Sequence, residues 1–259
     1  MNAVTDIKED PFAQLPPATI GDVRKVGSVR YYDNLQQGSD EWLTARLGIL
    51  TASEMKLILT PTLKQASNDK ERAHLYDLMA QRINKFIEPQ FMSYDMERGH
   101  VDEVDACILY SEKRAQVTQC GFITNDKWGF TLGYSPDGLV GENGLVECKS
   151  RRPKLQIQTI IEHVIKDECR SIPTEYVMQH QAGMLVSERQ WIDFISYSGG
   201  LPMAIIRMHP DAKIQNAIVE VAGAFEERLR DAMALYQDAL SSTDNLFPTE
   251  RKEYEEISL

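Results

Sequence analysis

The sequence predicts an α/β (α+β) fold in which a central mixed β-sheet is flanked by helices, and three observations carry this reading. Short β-rich runs at 121–124, 128–132 and 144–149 cluster in mid-chain, broken by Asn125-Asp126 and Pro136-Asp137-Gly138. Helical periodicity lies on both sides of them. Two more strand-like runs, 191–197 and 203–208, precede a long amphipathic stretch at 211–240, so strands are interleaved with helices around one core.

Each element follows from local chemistry. Residues 1–28 carry Pro11, Pro16 and Pro17 with little periodicity and read as an extended arm. Ser39 can cap a helix whose first turn holds Asp40 and Glu41, with Trp42, Ala45 and Arg46 on one face and Gly48 as its end. Thr51-Ala52-Ser53-Glu54 opens a second, short helix that Pro61 stops. Between 69 and 87, Leu75, Leu78, Met79, Ile83, Phe86 and Ile87 recur at three- and four-residue steps. A further helix is expected over 97–113 with Val101, Val104 and Ile108 inward and Glu103 on another face, in line with Cys107 and Tyr110. The three mid-chain runs read as neighbouring strands. Helix returns over 173–186, and in the last helix Ile214, Ile218, Val221, Phe225 and Leu229 form one apolar stripe best suited to core or subunit packing.

Bulk composition restricts the function classes. The chain has 259 residues, 42% of them hydrophobic and 26% charged, which suits one large domain. No apolar run reaches the roughly 18 residues that cross a bilayer, and residues 1–17 lack a basic-then-apolar signal, so a cytoplasmic protein without membrane partners is expected. Cys107, Cys120, Cys148 and Cys169 lie 13, 28 and 21 positions apart, outside the close-paired spacings of zinc or iron–sulfur sites, and read as reduced thiols. The net charge of −11 opposes nucleic-acid binding unless basic residues are gathered locally, as Lys149, Arg151, Arg152 and Lys154 are.

The chemistry is concentrated in Ser135-Pro136-Asp137-Gly138-Leu139 followed by Glu147-Cys148-Lys149. A turn holds Asp137, and Glu147 and Lys149, two apart on a strand, share a face. Converging carboxylates repel one another and are costly to bury unless a cation lies between them. A hard divalent ion such as Mg²⁺ takes one or two carboxylates, keeps waters, and accepts a phosphate. Such a site would activate a water against phosphorus, with Lys149 as base or as electrostatic stabiliser. Taken singly, Pro-Asp-Gly is a common turn and Glu-X-Lys a common surface pair. The apolar neighbours Leu145, Val146 and Cys148 are what make an uncompensated Glu147 costly.

These residues resemble the Asp…Glu-X-Lys core of the restriction-endonuclease-like nucleases, and Ser-Pro-Asp-Gly-Leu is the form seen in the lambda-exonuclease (YqaJ-type viral recombinase) family of phage and prophage recombination systems. Three further stretches resemble that family: Trp42 to Glu54, Arg98-Gly99-His100-Val101-Asp102-Glu103, and Tyr176-Val177-Met178-Gln179-His180-Gln181. The resemblance implies a catalytic set of Glu103, Asp137, Glu147, Lys149 and Gln179. Its metal ligands would be Asp137, Glu147, the Cys148 backbone carbonyl and Glu103, directly or through water. Arg46 and Ser53 would hold a 5′-terminal phosphate, and Gln181, Arg151 and Arg152 would contact DNA. His180 has no counterpart role and reads as structural. Arg98 stands where the family often has an aromatic, and Ser150-Arg151-Arg152 follows Lys149, which leaves the DNA contacts open.

What the resemblance implies is a Mg²⁺-dependent 5′-to-3′ exodeoxyribonuclease, using one or two ions with Mn²⁺ able to substitute. It would digest one strand of linear duplex DNA to mononucleotides and leave 3′ overhangs for single-strand annealing. A homotrimeric ring and a single-strand annealing protein are the implied partners, beside double-stranded DNA ends. A restriction-type endonuclease and a catalytically silent DNA-end-binding module are the alternatives on the same core. The organisation expected is an arm at 1–28 and one nuclease domain at 29–259, with its catalytic core at 42–186 and the last strands and long helix at 190–240.

Overall fold

Residues 23–88 and 94–251 are described by the computed structural model. The expected mixed β-structure is present as two hydrogen-bonded sheets flanked by helices. The first holds β1 (Arg24–Val26), β2 (Val29–Tyr32), β3 (Leu50–Thr51), β4 (Phe122–Asn125) and β5 (Leu132–Tyr134), in the order β1-β2-β4-β5-β3. The second holds β6 (Gly138–Val140), β7 (Gly144–Ser150), β8 (Trp191–Tyr197) and β9 (Ala204–Met208) in sequence order. Each sheet is mixed through one parallel pair, β3 beside β5 and β7 beside β8.

This arrangement corrects the expectation of three neighbouring mid-chain strands. The run at 144–149 belongs to a different sheet from the other two, because Gly138–Val140, read from sequence as turn, is a strand that pairs with β7. Ser135-Pro136-Asp137 is therefore the passage from one sheet to the other. A bridge between Thr118 and Leu139 holds β6 from its other side. The first 22 residues of the expected arm lie outside the described residues, and its last ones form β1.

Helix ends follow the capping chemistry. In α1 (Asp40–Arg46) the Ser39 hydroxyl accepts from Trp42 N at 3.2 Å, and in α3 (Asp69–Asn84) the Asn68 side chain accepts from the amides of Lys70 and Glu71. A short 3₁₀ turn (Ala52–Glu54) leads into α2 (Met55–Ile58), with Thr51 and Glu54 closing on each other. Asp211 caps α7 (Ala212–Ser242), whose Ile218, Val221, Phe225 and Leu229 are buried along the expected stripe. Two ion pairs, Arg82 with Glu226 and Arg228 with Glu71, bind α3 to α7.

The helix α4 (Tyr94–Lys113) is turned differently from expectation. Val101, Val104 and Ile108 are 59%, 59% and 54% exposed, whereas Ala106 and Tyr110 are buried against β7 and β8 with Val146, Cys148 and Ile195. The small Ala106 permits close approach, and the Tyr110 hydroxyl donates to Asp193 at 2.7 Å, so a polar tie selects the inward face over the aliphatic stripe.

On the opposite face of the second sheet lie α5 (Pro153–Thr159), the π-helical turn Ile160–Lys166, and α6 (Thr174–Ser187). The parallel register sets Glu147 beside Phe194 on this side. Phe194 packs with Ile172 and Tyr176 and meets the His180 ring at a 5.5 Å centroid distance. Gly183 of α6 lies directly over Tyr134: a Cβ there would come within 2.8 Å of the ring. Gly183→Ala should therefore displace Tyr134 or α6 and lower stability by about 1–3 kcal/mol, read from the urea unfolding midpoint. An unchanged midpoint would show that the contact has slack.

Candidate active site

Glu147 is the centre of the site, and its backbone position explains its setting. Leu145, Glu147 and Lys149 alternate onto one face of β7, a strand paired on both edges. Glu147 is only 2% exposed, so its carboxylate needs donors. Tyr134 Oη donates to Oε2 at 2.6 Å, Lys149 Nζ donates to Oε1 at 2.7 Å, and Gln179 Nε2 also donates to Oε1. These donors come from β5, β7 and α6. Burial, with the field of Glu147 behind it, pushes the Tyr134 phenol well above its usual range, so it remains a proton donor.

Asp137 reaches the same place from the turn between the sheets. Its Oδ2 accepts the Cys148 N–H at 2.5 Å, which fixes the carboxylate against the backbone between Glu147 and Lys149. Burial first, then the charge of Glu147, raises the Asp137 pKa well above the carboxylate range, while Lys149 opposes this. Glu103, on α4, is raised by burial as well, with Lys149 lowering it and Glu147 raising it. For Lys149, burial disfavours the charge, but Glu147 and Asp137 outweigh it and hold the ammonium above its ordinary pKa. Asp137, Glu147 and Glu103 thus share one field with a single lysine inside it.

The carboxylate oxygens of Asp137, Glu147 and Glu103 are the donors available to a hard cation. Among the described residues, no three His, Cys, Asp or Glu side chains stand close enough together to enclose a metal ion by themselves. Asp102, next to Glu103 in sequence, is taken by another contact: Ser150 Oγ donates to it, and Arg98 lies 3.8 Å away.

Arg46 and Ser53 stand at a second, adjacent cluster. Arg46 donates to Ser135 Oγ at 3.0 Å and lies over the Trp42 ring at 4.3 Å, and burial lowers its pKa. Thr51 Oγ1 lies 3.5 Å from Arg46 Nη2 and 3.2 Å from Ser53 Oγ, and Ser53 is exposed. Ser135, two residues before Asp137, links this cluster to the carboxylates. Trp42 Nε1 also donates to Ser135 Oγ, at 3.0 Å.

Two residues expected to contact DNA are engaged within the protein. Gln181 is 2% exposed; its amide donates to the His209 carbonyl at 2.9 Å and accepts the Asp211 N–H at 2.8 Å. Two residues along a helix turn the side chain about 200°, so Gln179 and Gln181 cannot serve the same surface. Arg151 is buried too, bonded to Tyr176 Oη at 2.6 Å and paired with Glu175 at 3.1 Å, so its charge is already met. Arg152, at the start of α5, is exposed to solvent.

Sequence reasoning missed Tyr134, Ser135, Thr51 and Trp42. Ser135 stood inside a quoted motif, and its place next to Asp137 was the available signal. Tyr134 gave none, since its reach to Glu147 depends on the turn that swings β7 into the second sheet.

A mixed β-core flanked by helices, with Asp137, Glu147 and Lys149 gathered where the two sheets meet, is the restriction-endonuclease-like nuclease class of fold. The profile of the YqaJ-like viral recombinase domain matches residues 41–190, and the chain belongs to that family. Among solved structures it is similar to the alkaline exonuclease LHK-Exo from Laribacter hongkongensis, with 28% identity, TM-score 0.67, and coverage of 78% of this chain and 98% of that one. The complex of LHK-Exo with dAMP is similar at 29% identity, TM-score 0.66, and the same coverage. No curated protein matches the chain. Among the described residues, no helix is long and apolar enough to cross a membrane.

His180 contributes to stability in a pH-dependent way. Its Nδ1–H donates to the Tyr176 carbonyl at 2.8 Å, and Nε2 is buried without a partner. Burial lowers its pKa to about 4, with nearby Glu147 raising it and Lys149 lowering it again. The folded state then binds fewer protons than the unfolded chain between about pH 6.5 and pH 4. The stability this group contributes is complete above the unfolded pKa and declines as pH falls through that window, by about 3 kcal/mol in total. The urea midpoint should drop over that range in the wild type and drop less in His180→Leu. Equal slopes would exclude His180 as the titrating group.

Proposed function

We propose that this protein is a Mg²⁺-dependent 5′-to-3′ exodeoxyribonuclease acting on one strand of linear duplex DNA, releasing mononucleotides and leaving 3′ overhangs for recombination by annealing. The observation that carries the reading is the convergence of Lys149 and Gln179 on Glu147 beside Asp137. Membership of the YqaJ-like family supports it, as does the likeness to an alkaline exonuclease whose complex holds a nucleoside monophosphate.

The donor set suits a hard cation. Three carboxylates gather around one lysine, and Mg²⁺ needs only one or two of them plus waters and a phosphate. Asp137 and Glu147 would hold it, with the backbone carbonyl of Cys148, the residue after Glu147, and Glu103 directly or through water; Mn²⁺ could substitute. When bound, one or two such ions supply Lewis acidity at the phosphate and an activated water. The residues of the chain do the rest. Lys149 and Gln179, both fixed on Glu147, present an ammonium and an amide to charge that grows on phosphorus in the transition state. Arg46 offers a charged fork, and Ser53 and Ser135 offer hydroxyls, to a terminal 5′-phosphate. Arg152 would add a backbone contact. A homotrimeric ring around the duplex and a single-strand annealing protein are the partners that this reading proposes.

Digestion of linear and covalently closed circular duplex DNA, with Mg²⁺ or with EDTA, tests the activity. Loss of linear DNA alone, only with metal and absent in Asp137→Ala, is the expected result. Cleavage of circles would move the assignment to an endonuclease, and no cleavage under any metal would leave an end-binding module. Faster digestion from 5′-phosphate than from 5′-hydroxyl ends is expected, and Arg46→Ala should erase that preference; a preference that persists would remove Arg46 from the end-binding role.

Lys149→Ala separates binding from chemistry. It should retain DNA-end affinity while single-turnover cleavage falls by roughly 100-fold or more, because the contact is made to the transition state. Turnover at the wild-type rate would remove Lys149 from the mechanism.

A further inference from the structure

Cys107 and Cys148 are 41 residues apart in sequence, yet their sulfurs are 3.5 Å apart. The pairing follows from β-strand alternation: Glu147 and Lys149 face α6, so Cys148 between them faces α4, where it packs with Ala106 and Tyr110. Cys107 approaches from α4, one turn after Glu103, and its sulfur also lies 3.9 Å from the Asp137 carbonyl. Cys148 is fully buried, whereas Cys107 is only partly so and can be reached from solvent. The pair thus joins α4, which carries Glu103, to β7, which carries Glu147, beside the turn that holds Asp137.

We propose that Cys107 and Cys148 are an oxidative modification site, converted to a disulfide by hydroperoxides, and that the bond halts the neighbouring active site. Cys107 sulfur attacks the peroxide oxygen, the O–O bond breaks, and water or an alcohol leaves, giving a sulfenic acid. Cys148 sulfur then attacks Cys107 sulfur and expels the hydroxyl as a second water. Two thiols are oxidised and one peroxide is reduced. The sulfurs must close from 3.5 Å to about 2.05 Å, which draws α4 towards β7. A shift of about 1 Å at a reacting centre can cost 100-fold in rate. The disulfide stands independently of the proposed nuclease activity, while its effect on turnover rests on that reading.

The test is treatment of the full-length protein with hydrogen peroxide, followed by thiol titration, peptide mapping and the linear-DNA assay. Expected are loss of two thiols, a linked pair of peptides containing Cys107 and Cys148, and a fall in turnover of roughly 100-fold that dithiothreitol reverses. Cys107→Ser should cut DNA at the untreated rate and ignore peroxide. Peptides that stay unlinked, or a sulfinic acid on Cys107 with Cys148 still a thiol, overturn the site. A linked protein with unchanged turnover overturns the coupling. If the untreated protein cuts no DNA, the nuclease reading fails and the peptide map still decides the disulfide.

Discussion

The structure depends on supplying one buried carboxylate with hydrogen-bond donors. Removing an ionised glutamate from water costs several kcal/mol unless hydrogen-bond donors and an opposite charge replace the solvent. Glu147 obtains these from Tyr134, Lys149 and Gln179, which sit on three separate elements. Each donor places a demand on the fold. Tyr134 must end β5 at the sheet junction, Gln179 requires α6 to cross close over that ring, and Gly183 removes the Cβ that would prevent it. Lys149 must lie two residues along the same strand, where alternation returns it to the same side. The packing of the second sheet is arranged around a polar requirement.

That arrangement leaves the site short of positive charge. Asp137 and Glu103 add two carboxylates to Glu147, and burial raises the pKa of both. Lys149 is inside the group, whereas Arg151 has turned away to Glu175 and Tyr176. Such an imbalance is tolerable where a cation and a substrate phosphate complete the site, and wasteful otherwise. The chain's net charge of −11 does not describe this region, where Arg46 and Lys149 lie with hydroxyl and amide neighbours.

Much of this was legible in the sequence, and the failures have specific causes. The cap at Ser39 marks a helix start because a side-chain oxygen satisfying free amides is a local event. Asp137, Glu147 and Lys149 could be named because strand alternation and a turn are also local, whereas Glu103 came from the family resemblance alone. The orientation of α4 was not legible: periodicity detects a stripe of Val101, Val104 and Ile108, but cannot know that Tyr110 has Asp193 to bond on the other side. The partners of Gln181 and Arg151 were not legible for a related reason. Both are polar groups whose partners, the backbone at 209–211 and the Glu175–Tyr176 pair, come from elements distant from their immediate neighbours. Division into two sheets was hidden because a three-residue strand containing a glycine looks like part of a turn.

The contacts of Gln181 explain how residues beyond the family match support the site. Residues 41–190 carry the family match, yet α7 lies beyond them. Gln181 accepts the N–H of Asp211, the cap residue of α7, and donates to the carbonyl of His209, so it grips the turn that leads from β9 into that helix. One helix thus faces two ways: Gln179 steadies Glu147, while Gln181 anchors α6 to the start of α7. At the other side, Arg82 bonds Glu226 with both of its terminal nitrogens and donates through Nε to the Gly48 carbonyl. Gly48 directly follows the α1 segment bearing Arg46. The long helix therefore braces both the carboxylate cluster and the arginine cluster from behind, although it contributes no side chain to either.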